Sequence, residues 1–356
     1  MKCGIMTFHR AINYGGVLQA YALNEYINKK IGVDSEIIDY RCENIESMYK
    51  YSLYSLKPKV LLKYFYKLPL DIKKKIKFNR FIKKYIKKGN STKKSELPKC
   101  AEKYDIIITG SDQVWGKSRI NVDHSYFLDF VRESKKKASY AASFGAEKIE
   151  SEFEDVYRGL LKDFSHLCVR EKTGADIIKK ITNASAEVCI DPTLLLDKTE
   201  WGRISSTKLK DEKYLLIYML TNSNKIVDTA RKIAEKYGLK IYNISDGVKE
   251  YYGIKNLRGL SPAEWVGAFL NSSYVVTNSF HGTAFAVNFN KNFNTEVSTA
   301  IASRGSRITD LLKLLNLSDR LINNSENISE ISYDMVNKIL YEERKKSYTY
   351  LVKLFS

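Results

Sequence analysis

The sequence is poor in the residues that staple or metallate small folds. Its five cysteines, Cys3, Cys42, Cys100, Cys168 and Cys189, are odd in number and form no C-x-x-C pair. That argues against a disulfide framework and a zinc site, and for a reducing cytoplasm. Only four histidines occur, His9, His124, His166 and His281, so histidine chemistry has few places to reside. No run approaches the ~18 consecutive apolar residues of a membrane span. The opening Met1-Lys2-Cys3-Gly4-Ile5-Met6-Thr7-Phe8 has too short an apolar run to read as a signal peptide. No P-loop, G-x-S-x-G, H-E-x-x-H or D-x-D is present, so no spacing calls for a metal. Acidic residues are also scarce: 41 Asp and Glu stand against 59 Lys and Arg, a formal charge of +18.

What is present fits a folded α/β protein. A length of 356 residues predicts two domains at roughly 150 residues each, and 44% apolar with 12% aromatic residues excludes a disordered or collagen-like chain. The positive charge is local. Between Lys57 and Lys103 lie 17 basic and 3 acidic residues, a net +14 of the +18. Within that segment, Asp71 to Lys88 places Ile72, Ile76, Phe78, Ile82, Tyr85 and Ile86 on about half of a helical surface, with lysines on the remainder. One reading is a packed amphipathic helix with a solvated lysine face. A sharper one is a surface for anionic lipid or a lipid-linked diphosphate, with peripheral membrane contact. Nucleic acid is not expected, because no recognised module accompanies the patch.

Short apolar runs alternate with helical patterns throughout. Strands are expected at residues 1–8, 35–40, 104–109, 137–143, 187–190, 214–219, 240–244 and 274–277. Gly32 and Gly238 close helices, and Ser261-Pro262-Ala263-Glu264 opens one as a capping box. The expected architecture is two Rossmann-like doubly wound domains facing a cleft: residues 1–197, with the basic helical insertion at about 57–103, and residues 198–332. A C-terminal amphipathic helix, 333–356, is expected to cross back to the first domain.

In such sheets ligands gather at the carboxyl ends of strands. Three strand-end loops qualify: Asn13 to Gly16, Ser111-Asp112-Gln113 after Gly110, and Ser279 to Gly282 after Asn278. Gly15 and Gly16 allow close backbone approach, and the next helix N-terminus favours an anion. His281 sits between a strand end and a helix start, where an imidazole is kept neutral as a base or donor. His9 could line the same cleft, whereas His124 and His166 read as ordinary surface or packing residues. Arg170 is positioned to grip a carboxylate or phosphate, or else to pair with Glu171. Arg304 and Arg307, flanking Gly305, are similar candidates.

These segments together resemble the polysaccharide pyruvyl transferase family. The likeness is carried by Gly4 to His9, Asn13 to Leu23, Gly110 to Trp115, Tyr140 to Gly145, Val169 to Gly174, Asp191 to Leu196 and Thr277 to Phe285. The resemblance implies a GT-B-like fold and a cytoplasmic transferase of surface-polysaccharide assembly. It would move a pyruvyl group from phosphoenolpyruvate to two hydroxyls of a sugar, on a polysaccharide or its lipid-linked oligosaccharide precursor, without a cofactor. It also implies that His281 contacts the donor and shuttles a proton, and that Arg170 binds phosphoenolpyruvate. Ser279 stands where members commonly carry the arginine of R-x-H-G, so the second donor cation is expected from Arg304, Arg307 or a lysine. A nucleotide-sugar glycosyltransferase of the same fold, or a non-catalytic glycan-binding relative, is the alternative.

Overall fold

The computed structural model describes residues 1–47, 58–117, 123–206, 209, 212–247, 249–297, 305–322 and 328–356. Two parallel sheets organise it. The first has the order β2-β1-β3-β4, from Asp34–Ile37 (β2), Lys2–Met6 (β1), Ile106–Thr109 (β3) and Lys137–Ser139 (β4). Bridges from Ala138 to His166 and from Ala142 to Val169 carry it on to Cys168–Val169 (β5) and Glu187–Val188 (β6). The second has the order β11-β10-β7-β8-β9, from Asn292–Thr295, Tyr274–Thr277, Tyr214–Tyr218, Lys240–Ile244 and Ile254–Leu257. Strands β1, β3, β7 and β10 are wholly or almost wholly buried, as expected where helices cover both faces.

The longer helices among the described residues are α1 (Tyr14–Tyr26), α2 (Pro58–Tyr85), α3 (Ser151–Leu161), α4 (Lys172–Thr182), α5 (Asn224–Tyr237), α6 (Pro262–Asn271), α7 (Phe280–Asn288), α8 (Ser306–Leu314) and α9 (Tyr333–Leu354). Their ends follow local chemistry. Ser261 and Glu264 form the expected capping box, and Gly32 and Gly238 take left-handed conformations after helices. One apolar cluster spans both sheets, because α1 packs against the second half, and each half adds a cluster of its own. Tyr14 stacks on Trp265 with ring centroids 5.6 Å apart, and its hydroxyl donates to the Leu260 carbonyl at 3.0 Å. Helix α9 returns to the first half: Arg344 donates to the Leu194 carbonyl at 2.7 Å and Tyr350 to the Ser139 carbonyl at 2.9 Å.

Two expectations need correction. Strands β9 and β11 were not anticipated; both are short and carry Lys or Asn within them, which hides the apolar signal. In α2 the buried residues are Phe78, Phe81 and Ile82, with Ile86 just beyond, whereas Ile72 and Ile76 are exposed. Lysines take the inward positions there. Lys74 lies 4.5 Å from the centre of the Tyr14 ring and 2.7 Å from Asp246, and Lys77 is 2.7 Å from Glu264. The basic helix thus ties the first half to the second. Lys57, which opens the basic segment, lies outside the described residues.

Candidate active site

In each sheet the strand order reverses direction beside a central strand: between β1 and β3 in the first, between β7 and β10 in the second. Loops diverge at such points and leave a crevice. Both crevices open onto one cavity of about 210 Å³, lined from the first half by Asn13, Asp112 and Gln113 and from the second by Tyr218, Asn278 and Ser279, with Phe280, His281 and Arg307. Asn278 braces this rim, accepting from Leu220 N–H and donating to the Thr221 carbonyl, each at 2.8 Å.

His281 lies in the first turn of α7, whose N-cap Ser279 accepts from Gly282 N–H at 3.3 Å. Ser279 therefore holds the helix start as well as lining the cavity. Gly282 permits the start to sit on β10, since a Cβ there would stand 2.4 Å from Thr277 Oγ1. The imidazole is buried and its Nε2 makes no hydrogen bond. Burial lowers its pKa below the usual 6.5; Arg170 and Arg307 add to this, while Asp191 and Asp112 oppose it. At neutral pH it is a base, and the Asp191 carboxylate, 3.8 Å from Nε2, stabilises the proton it would accept.

The close approach expected at Gly15 is present, and the group that approaches is the imidazole. A Cβ on Gly15 would stand 2.0 Å from His281 Nδ1. Gly16 N–H is taken by the Asn13 side chain at 3.2 Å, so among these three only Asn13 lines the cavity. Gly15→Ala is expected to push the imidazole aside and lower kcat about 10²-fold, with an unchanged circular dichroism spectrum. Wild-type turnover in this variant would show that the imidazole's position is immaterial.

Behind His281 lies a buried charge cluster. Asp191 Oδ2 accepts from Ser111 Oγ and Arg170 Nη1, each at 2.9 Å, while Oδ1 accepts from Thr193 N–H and Oγ1 at 2.9 and 2.7 Å. Burial alone would raise this carboxyl; the positive charge of His281 when protonated, that of Arg170, and the Thr193 and Arg170 hydrogen bonds outweigh it and hold the pKa at about 2. Arg170 also donates to Glu171 at 3.3 Å, and Glu171 accepts from Ser143 at 2.5 Å. The guanidinium thus makes the ion pair with Glu171 and still keeps Nη2 without a hydrogen bond. It does not line the main cavity. It lies 4.2 Å from the centre of the Phe280 ring, lining a smaller space of about 100 Å³.

Arg307 lines both spaces, 6.0 Å from the centre of the same ring. Gln113 orients it: with the amide turned oxygen-first, Oε1 accepts from Arg307 Nη1 and Nη2 at 2.9 and 2.6 Å. Asp112 holds a left-handed backbone at φ 79°, uncommon for a non-glycine residue. Its carbonyl accepts from Val114 and Ser143 N–H at 2.8 and 3.0 Å. Ser111 is wholly buried and acts through Asp191. His9 lines a neighbouring cavity rather than this one. Arg304 lies outside the described residues. Sequence reasoning missed Asp191 and Phe280. In the sequence Asp191 stands out only as the first residue of the Asp191 to Leu196 stretch that carries the family likeness; in the structure it also caps the turn at Pro192 and Thr193.

Two parallel sheets presenting their strand-end crevices to one cavity define a GT-B-like α/β protein. A Listeria monocytogenes structure described as a candidate UDP-N-acetylglucosamine 2-epimerase is similar over 99% of this chain and 90% of its own, at 11% identity and a TM-score of 0.51. A UDP-GlcNAc 2-epimerase from Neisseria meningitidis, solved with UDP-GlcNAc, covers 97% of this chain and 100% of its own at 11% identity and a TM-score of 0.45. The polysaccharide pyruvyl transferase family matches residues 13–294, and the chain belongs to that family of transferases. No functionally curated protein matches it in sequence.

Proposed function

We propose that this transferase moves a pyruvyl group from phosphoenolpyruvate to two hydroxyls of a sugar on a cell-surface polysaccharide or its lipid-linked precursor. The observation that carries the reading is a single cavity holding a neutral histidine without an Nε2 partner beside a guanidinium, Arg307. In the reaction, C3 of phosphoenolpyruvate takes a proton and one sugar oxygen bonds to C2 as its O–H bond breaks. The C2–O bond to phosphate then cleaves, and the second hydroxyl closes the ketal. Of the two hydroxyl protons, one ends on the new methyl group and the other on phosphate. His281 serves as the relay, taking a hydroxyl proton and returning it. Arg307 holds the donor's carboxylate or phosphate, in place of the arginine that Ser279 replaces. Asp112, which lines the cavity, accepts from and orients the sugar hydroxyls in this reading.

Phosphoenolpyruvate is expected to raise the melting temperature, and nucleotide sugars to leave it unchanged. Arg307→Gln should weaken phosphoenolpyruvate binding by roughly 10- to 100-fold, the loss of one hydrogen-bonded charge. Stabilisation by nucleotide sugars alone would favour the glycosyltransferase reading instead.

A further inference from the structure

A second cavity, of about 640 Å³, lies between the ends of β1 and β2 and helix α2. Its lining includes five cationic side chains, Arg10, Arg41, Lys75, Lys83 and Lys88, against two carboxylates, Asp39 and Glu46. The floor is built around Asp39, which is almost wholly buried. Its Oδ1 accepts from Arg10 Nε at 2.8 Å, its Oδ2 from Arg10 Nη2 at 2.9 Å and from Lys88 Nζ at 2.5 Å. His9 Nε2 sits 2.8 Å from Oδ1, and its Nδ1 3.1 Å from the Thr7 carbonyl. One carboxylate therefore fixes three basic side chains at a concave surface. Lys83 makes no ion pair among the described residues, and positive charge remains in excess.

We propose that this cavity is a diphosphate site and that it holds the diphosphate of a lipid-linked acceptor; the second clause rests on the pyruvyl-transfer reading. Two features favour an acceptor anchor over a stray anion patch. The loop from His9 to Asn13 borders both cavities, His9, Arg10 and Ile12 on this one and Asn13 on the other, so a group anchored here lies one short loop from the reacting centre. Helix α2 also exposes Ile72 and Ile76, one turn apart and 43% and 46% accessible, beside Lys73 and Arg80. That strip lies on the same helix as Lys75 and Lys83 of the cavity and suits the start of a lipid tail.

The probe is inorganic pyrophosphate, titrated calorimetrically into the full chain. Lys75→Gln/Lys83→Gln leaves the Asp39 floor intact and should weaken binding at least about tenfold. Binding should persist in His281→Ala and with phosphoenolpyruvate present. No binding, equal binding by the double variant, or equal affinity for orthophosphate would overturn the diphosphate site. For the lipid source, flotation compares phosphatidylcholine vesicles carrying a polyprenyl diphosphate with vesicles carrying equal charge as phosphatidylglycerol. A preference for the former, lost in the double variant, is expected; equal binding would overturn the lipid assignment. None of these arms needs turnover. Pyrophosphate binding without any pyruvyl transfer would defeat the reaction proposed above and leave the site standing.

Discussion

Replacing His281 by Ala is expected to lower kcat by about 10²- to 10⁴-fold, the usual worth of a positioned acid–base group. The imidazole is the one histidine that lines the central cavity among the described residues, and it is held there from both halves. Ser279 caps the helix that carries it, and Gly15 leaves the space it occupies. Burial keeps it neutral, so wild-type activity should fall only below about pH 6.5, as protonation removes the base. The variant should lose that acidic limb together with its rate. His281→Gln, which keeps most of the volume, should lose activity comparably, separating chemistry from packing. More than a tenth of wild-type turnover in either variant would remove the proposed relay.

Arg170→Met should be the most destabilising single change in the site, costing about 3–5 kcal/mol as expected for a broken buried ion pair. Its guanidinium stands between Asp191 and Glu171, and all three side chains are almost wholly buried. Without it, Asp191 loses the charge and the hydrogen bond of Arg170 and keeps only His281 and Thr193 against the cost of burial, so ionisation is less favoured than in the wild type. The pH dependence gives the cause away. In the wild type the Asp191 carboxyl is depressed to about 2, against ~3.9 unfolded. Its contribution is therefore present above ~pH 3.9 and lost as pH falls through 2. In the variant that contribution is reduced, so the deficit measured by urea unfolding should be largest at pH 7 and shrink as the pH falls through the carboxylate range. A deficit independent of pH would mean that Arg170 matters as volume, not as charge.

Much of the scaffold was legible in the sequence because it is written in local chemistry. The apolar run at Tyr214 to Tyr218, the capping box at Ser261 and the glycines after α1 and α5 each name their element unaided. The strand-end loops at Asn13, Asp112 and Ser279 follow from the rule that crevices form at carboxyl ends, and all three do line the cavity. Periodicity fails where charge takes the inward face. Nothing local says that Lys74 and Lys77 meet Asp246 and Glu264 while Ile72 and Ile76 remain in water, because both acids lie on the other half. The same limit hid Asp191, whose second oxygen accepts from Ser111 and Arg170, neighbours brought in from 80 and 21 residues away. Gly15 and His281 likewise meet only once the two halves are assembled.

The basic segment has a structural role beyond its charge. Helix α2 forms one wall of the second cavity, and Lys74 and Lys77 tie it across the halves. Lys75, Lys83 and Lys88 of that segment line the second cavity, where the proposed diphosphate would need them.

The most direct measurement is phosphate release from phosphoenolpyruvate across a panel of lipid-linked oligosaccharides, with the products analysed for a ketal. Phosphate released one-for-one with ketal formed, and abolished in His281→Ala, is the predicted result. Cleavage of a nucleotide sugar under the same conditions, with no phosphate released from phosphoenolpyruvate by any acceptor, would contradict pyruvyl transfer.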